Sequence, residues 1–210
     1  MTDFFSIKTT AFQIIGYTVS YVELTGTVFG FVSVWLASKA NILTWPAGVV
    51  NEFFLFLLFY QTQLYADMFL QVYFFAVTVS GWRNWRRETV KNRILSVSRR
   101  NRVAIALTIA AGSLTVGFLI QNIHVLLPRY FAVPASWPFT DSTVMALSIA
   151  ATVLLAQKRV ESWLLWIAVD VICTVLYFKK AIWFLSFEYF VFLWMAVYGL
   201  SNWRKQMKNG

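Results

Sequence analysis

The sequence predicts an all-α polytopic membrane protein, with seven transmembrane helices in the order three, one and three. Three observations carry that prediction. Of 210 residues, 59% are apolar and only 13% charged, whereas a soluble domain is about 45–50% apolar and about a quarter charged. The apolar residues fall in runs of the ~17–25 residues that a helix needs to cross a hydrocarbon core of ~30 Å. The cations, finally, gather between particular runs. A soluble core could hide some of the 20 Phe, 10 Trp and 9 Tyr, but the surface would not stay wet. Secreted disulfide scaffolds, cytosolic enzymes and disordered tails are excluded together.

Taken in order, residues 1–20 form an amino-terminal interfacial segment. Within it, 4–18 is apolar but broken by polar residues, which predicts an interfacial helix. Asp3 precedes the first cation and no small-residue cleavage site follows, so this is not a signal peptide. Spans at 21–38, 45–62 and 64–82 make a first three-helix bundle over 21–82. A basic loop (83–102) leads to a linker helix at 103–126 and an extracytoplasmic loop at 127–140. Spans at 141–157, 163–179 and 182–200 make a second bundle over 141–200, and 201–210 is a tail. Tight links such as 61–63 and 179–181 make neighbouring spans antiparallel hairpins.

The net charge of +9 follows the membrane. Arg83, Arg86, Arg87, Lys91, Arg93, Arg99, Arg100 and Arg102 lie between spans three and four. Lys39 follows span one, Lys158 and Arg159 follow span five, and Arg204, Lys205 and Lys208 follow span seven. With seven spans, these fourteen of the 18 cations share one side, which the positive-inside bias assigns to the cytoplasm. The amino terminus then faces out and the carboxyl terminus in. The pattern does not indicate nucleic acid as a partner; the lipid bilayer is what it fits.

Reactive side chains are few. Cys173 and His124 are each the sole residue of their kind, so a CxxC pair, bis-histidine ligation and HExxH zinc chemistry are impossible. No GxxxxGK[ST] loop occurs, no nucleophile–base pair suggests an enzyme, and no ring of filter residues suggests a channel. The expectation is a non-enzyme with no cofactor and no metal.

An internal repeat organises the spans. Gly81-Trp82-Arg83-Asn84-Trp85-Arg86-Arg87 closes span three, and Gly199-Leu200-Ser201-Asn202-Trp203-Arg204-Lys205 closes span seven. Gly, Asn, Trp and Arg match at a spacing of 118, whereas Lys39/Lys158 and Asn51/Asp170 match at 119. An odd linker helix restores direction, so the two triplets enter the membrane in the same orientation as parallel repeats. Such repeats suit an alternating-access carrier with substrate near mid-depth.

Ionisable and amide groups within spans are costly unless they face a bundle interior or cavity. Asn51, Gln71 and Asp170 fall within spans, while Glu23, Glu52, Asp67 and Glu188 lie nearer the ends. Trp163, Trp166, Asp170, Thr174 and Tyr177 share one face of span six, and Gln63, Asp67, Gln71 and Phe74 one face of span three. A stripe of aromatic rings and a carboxylate suits a flat cationic ligand; helix–helix packing is the competing explanation. Gly26-x-x-x-Gly30 in span one reads as a packing contact.

The runs Asn51–Gln71 (NEFFLFLLFYQTQLYADMFLQ) and Lys158–Asp170 (KRVESWLLWIAVD), with Gly81-Trp82, Asp141-Ser142 and Ser186-Phe187-Glu188-Tyr189, resemble the PnuC family of bacterial vitamin transporters. The resemblance covers nearly the whole chain from about residue 20. It implies a SWEET-like 3+1+3 fold in a bacterial inner membrane and import of nicotinamide riboside by facilitated diffusion. It also implies trapping by a cytoplasmic kinase and a homotrimer; a carrier of thiamine or another vitamin with the same fold is the alternative. Carried over, Trp166 and Asp170 hold the nicotinamide end, Asn51 is their counterpart in the first half, and Gln61 and Gln71 add amide contacts. Glu188 and Tyr189 complete the implied substrate-binding set. Some members have Asn where this chain has Asp170, which bears on the choice of vitamin.

Overall fold

A helix satisfies its backbone groups internally, as a hydrocarbon environment requires, and the long apolar runs adopt that solution. The computed structural model describes residues 4–14, 16–62, 65–87, 93–126, 129, 134, 137–180 and 183–209, apart from the side chains of 65–67, 69, 183 and 184. The elements are β1 (Thr10–Ile14), β2 (Tyr17–Ser20), α1 (Tyr21–Ser38), α2 (Thr44–Gln61), α3 (Tyr65–Arg86), α4 (Arg99–Leu126), α5 (Pro138–Ala156), α6 (Glu161–Lys179) and α7 (Trp183–Asn209). Among the described residues, α1, α4, α5 and α6 are long and apolar enough to cross a membrane by length and composition. Exposed Leu107, Leu114, Phe118 and Leu119 on α4 form the kind of apolar surface that lipid, not water, covers.

The amino-terminal segment departs from expectation. In place of an interfacial helix over 4–18, β1 and β2 form an antiparallel hairpin with Phe12 opposite Val19, Gln13 opposite Thr18 and Ile14 opposite Tyr17. Thr10, Phe12, Ile14, Tyr17, Thr18 and Val19 are β-branched or aromatic, the types that fit a pleated surface best. Gly16, at φ 80°, supplies the left-handed turn residue that a two-residue hairpin loop requires. Ser20 then caps α1, its hydroxyl accepting the Glu23 N–H at 3.2 Å, in the S-x-x-E pattern of a capping box.

The chain forms two compact units, one of residues 1–93 with 201–210 and the other of 94–200. In the first, α1 packs on α2 and α2 on α3. Gly26 and Gly30 are buried, and a Cβ at Gly26 would meet Leu55 Cδ2 at 3.4 Å, the packing contact expected of that pair. The Ser33 hydroxyl donates to Thr44 O (2.9 Å) and the Thr44 hydroxyl to Ser33 O (2.8 Å). Gly81 on α3 lies under Trp45, whose ring a Cβ there would overlap. Trp45 meets Trp85 edge-on at 5.2 Å, and the Trp203 indole donates to Ala37 O at 2.9 Å.

In the second unit α4 packs on α5 and α5 on α6. Gly199 lies under Trp163 at a Cβ distance of 2.7 Å. The end of the basic loop is stitched to the α5–α6 turn. Leu95 N–H donates to Lys158 O and Val160 N–H to Leu95 O, both at 3.0 Å. The buried Glu161 carboxylate accepts the Ser96 hydroxyl at 2.6 Å and Val97 N–H at 2.9 Å. Two of the cation-rich places that the sequence puts on one side are therefore in direct contact.

The helix bounds settle the repeat spacing. Ser38 and Ala156 end α1 and α5, Gln61 and Lys179 end α2 and α6, and Tyr65 and Trp183 begin α3 and α7; each pair is 118 residues apart. Left-handed residues follow α1 and α5 at the same spacing, Ala40 at φ 54° and Lys158 at φ 52°, as do the Trp45–Gly81 and Trp163–Gly199 contacts. The match at 119 is superseded, and with it the pairing of Asn51 with Asp170. The counterpart of Asp170 is Glu52, and that of Gln71 is Tyr189.

Candidate functional site

Helix α6 carries its aromatic and polar stripe at different degrees of burial. Trp163, 1% exposed, is the ring that holds Gly199, so its place is structural. One turn on, Trp166 is half-buried. One further turn brings Asp170, 4% exposed. The Thr174 hydroxyl turns back to Asp170 O at 2.6 Å, and Thr174 O accepts the Ser186 hydroxyl of α7 at 2.9 Å. That bond aligns α7 so that Tyr189 stacks on Tyr177, centroids 5.5 Å apart and planes 16° from parallel. Glu188 beside Tyr189 is half-buried. The second unit thus brings together a buried carboxylate, an indole one turn away and a paired tyrosine shelf.

The residues expected in the first unit are distributed differently. Asn51 Nδ2 donates to Gly26 O at 2.8 Å, a helix-packing bond made possible by the glycine's close approach. Gln61 spends both ends of its amide on the amino-terminal segment, Nε2 donating to Phe5 O (2.7 Å) and Oε1 accepting Ile7 N–H (3.0 Å). Phe5 packs there on Phe53 and Phe54. Gln71, by contrast, borders a cavity. It is buried with Glu52, and the two line a space of about 150 Å³ with Phe53, Phe56, Val72 and Phe75. The Thr78 hydroxyl donates to Glu52 Oε1 at 2.5 Å. The side chains of Gln63 and Asp67 lie outside the described residues.

Sequence reasoning missed Glu52 and Thr78 as polar partners at depth. The signal that finds Glu52 is the 118-residue spacing of the Gly-x-x-Asn-Trp-Arg motifs, applied to Asp170.

The sequence pattern of the nicotinamide mononucleotide transporter family matches residues 20–205. The chain belongs to that family. It is 32% identical to the nicotinamide riboside transporter PnuC of Escherichia coli, over 96% of this chain and 94% of that one. Identity is 26% to the riboflavin/roseoflavin transporter RibM of Streptomyces davaonensis, over 94% and 91%. A crystal structure of the vitamin B3 transporter PnuC superposes with a TM-score of 0.68 at 21% identity, covering 90% of this chain and 83% of that one; the family's fold is therefore the fold seen here. Family members are transporters, and this chain is a multi-pass membrane transporter and not an enzyme.

Proposed function

We propose that the chain imports nicotinamide riboside by facilitated diffusion, through alternating access of its repeats, with cytoplasmic phosphorylation by a kinase trapping the product. The observation that carries the substrate is Asp170, a buried carboxylate one helical turn from Trp166 and beside the Tyr177–Tyr189 stack. Nicotinamide riboside carries a fixed positive charge on a flat ring. An indole and a carboxylate on one face complement those two properties, whereas a neutral riboflavin ring would leave the carboxylate unpaired. The identity to the Escherichia coli transporter supports the same substrate. Thiamine, also a cationic ring, is the alternative in the same site. The transporting form is a homotrimer in a bacterial inner membrane with its amino terminus outside.

Proteoliposomes with purified protein should equilibrate labelled nicotinamide riboside and go no further. Accumulation above equilibrium under a proton or sodium gradient would overturn the downhill mechanism, and uptake of thiamine alone would transfer the substrate. Orientation has its own check. Single cysteines placed at 129–140 in a Cys173→Ser background should label from outside in intact cells, and labelling only after permeabilisation would reverse it.

A further inference from the structure

The end of the basic loop and the start of α4 gather cations on the outside of the second unit. Arg99, Arg100 and Arg102 are exposed in the first turn of α4. Arg159, in the turn between α5 and α6, reaches the same place. Its Nη1 donates to Ser96 O at 3.5 Å, and Ser96 is at most ~10 Å of chain from Arg99. The folding of α4 does not call for this cluster, because cations in the first turn of a helix oppose its dipole. Nor does the carboxylate held against this segment neutralise it. Glu161 is 8% exposed and already accepts from Ser96 and Val97.

The same helix continues as an apolar track. Val103, Leu107 and Leu114 are 55%, 65% and 55% exposed. At ~100° per residue, they share one arc of ~100° with Arg99 and Arg100. From Val103 to Leu114 the helix rises ~16 Å, about half of a ~30 Å hydrocarbon core and so one leaflet. An apolar stripe one leaflet long that ends in arginines complements a phospholipid. Acyl chains match the stripe, and guanidinium forks match the phosphate oxygens two by two.

We propose that Arg99, Arg100, Arg102 and Arg159 bind the headgroup of one anionic glycerophospholipid whose acyl chains lie along Val103, Leu107 and Leu114. The site lies wholly within the second unit, holds for either orientation in the membrane and does not rest on the transported substrate. A bound lipid ties the start of α4 to the α5–α6 turn, beside the bonds of Glu161.

The test is native mass spectrometry of the full-length protein, released from detergent with phosphatidylglycerol or with zwitterionic phosphatidylcholine. The wild type should hold one phosphatidylglycerol per chain at least about tenfold more tightly than phosphatidylcholine, as several cations at an anionic headgroup require. The triple variant Arg99→Gln, Arg100→Gln, Arg102→Gln should abolish that preference. Arg159→Gln should reduce it about fivefold, the scale of one cation at an anionic surface. Arg204→Gln, Lys205→Gln, Lys208→Gln together remove the same charge from the tail and should leave the preference intact. Inorganic phosphate in excess should not displace the lipid. Equal retention of the two lipids by the wild type overturns the proposal, since the arginines then serve only the general charge bias. Equal loss in the tail variant overturns it in favour of diffuse attraction, and displacement by inorganic phosphate in favour of a soluble anion. Absence of bound phosphatidylglycerol, with a changed subunit number in the triple variant, overturns it in favour of an interface between copies. Should the triple variant lack a folded thermal transition, Arg159→Gln decides, and a wild-type preference there overturns the site.

Discussion

The two three-helix repeats share a frame and differ in what they display. In α1–α3 and α5–α7 alike, a left-handed residue leads the turn after the first helix, and a tryptophan opening the second helix sits on a glycine of the third. At the buried polar positions the pairs diverge, Glu52 against Asp170 and Gln71 against Tyr189. The ends diverge as well. Gln61 is bonded to the amino-terminal segment, while its counterpart Lys179 is exposed. Geometry is repeated where backbones must approach closely, and the side chains differ where no such approach constrains them.

Charge at the ligand positions gives the largest expected effect. Asp170→Ala should weaken binding of a cationic vitamin by about 2–5 kcal/mol, the range for truncating one partner of a buried charge pair. Asp170→Asn should weaken nicotinamide riboside and thiamine but spare an uncharged analogue. Calorimetry on folded variants reads both, and equal affinity for all ligands in Asp170→Ala would make Asp170 a packing residue and end the comparison with Glu52.

The shared frame comes next. Gly81→Ala and Gly199→Ala each drive a methyl into an indole, and each should cost about 1–3 kcal/mol, the usual range for overpacking. The two variants should lower the thermal midpoint in detergent by similar amounts. A clear loss in one and none in the other would show that the tryptophan–glycine contact matters in one repeat only.

The smallest effect lies at the divergent ends. Gln61→Leu removes two hydrogen bonds to the amino-terminal segment, each worth about 1 kcal/mol. Amide exchange at Phe5–Thr9 should accelerate while the interior of α2 stays protected. Lys179→Leu should leave the exchange of α6 unchanged. Unaltered exchange in Gln61→Leu would mean that the phenylalanine cluster alone holds the segment.

Much of this was legible in the sequence. Apolar runs placed all seven helices, because lipid leaves a run of that length one way to satisfy its backbone. The stripe of Trp163, Trp166, Asp170, Thr174 and Tyr177 was correctly read as one face of α6, though only packing against α7 shows that Trp163 serves Gly199. The hairpin at Thr10–Ser20 was misread because its apolar residues, interrupted by polar ones, fit an amphipathic helix as well as a strand. Its β-branched residues and Gly16 were the better guide.

By itself the sequence determined the class, the order of helices and the residue types available for a cationic ring. Tertiary structure decided which of two neighbouring residues, Asn51 or Glu52, is the mate of Asp170. Motif matches at 118 and 119 compete on paper, and one residue on a helix is a rotation of about 100°, enough to move a side chain from a packing face to a cavity. Only the positions of the turns and of the tryptophan–glycine contacts fix that rotation, sending Asn51 to the Gly26 carbonyl and Glu52 to the cavity.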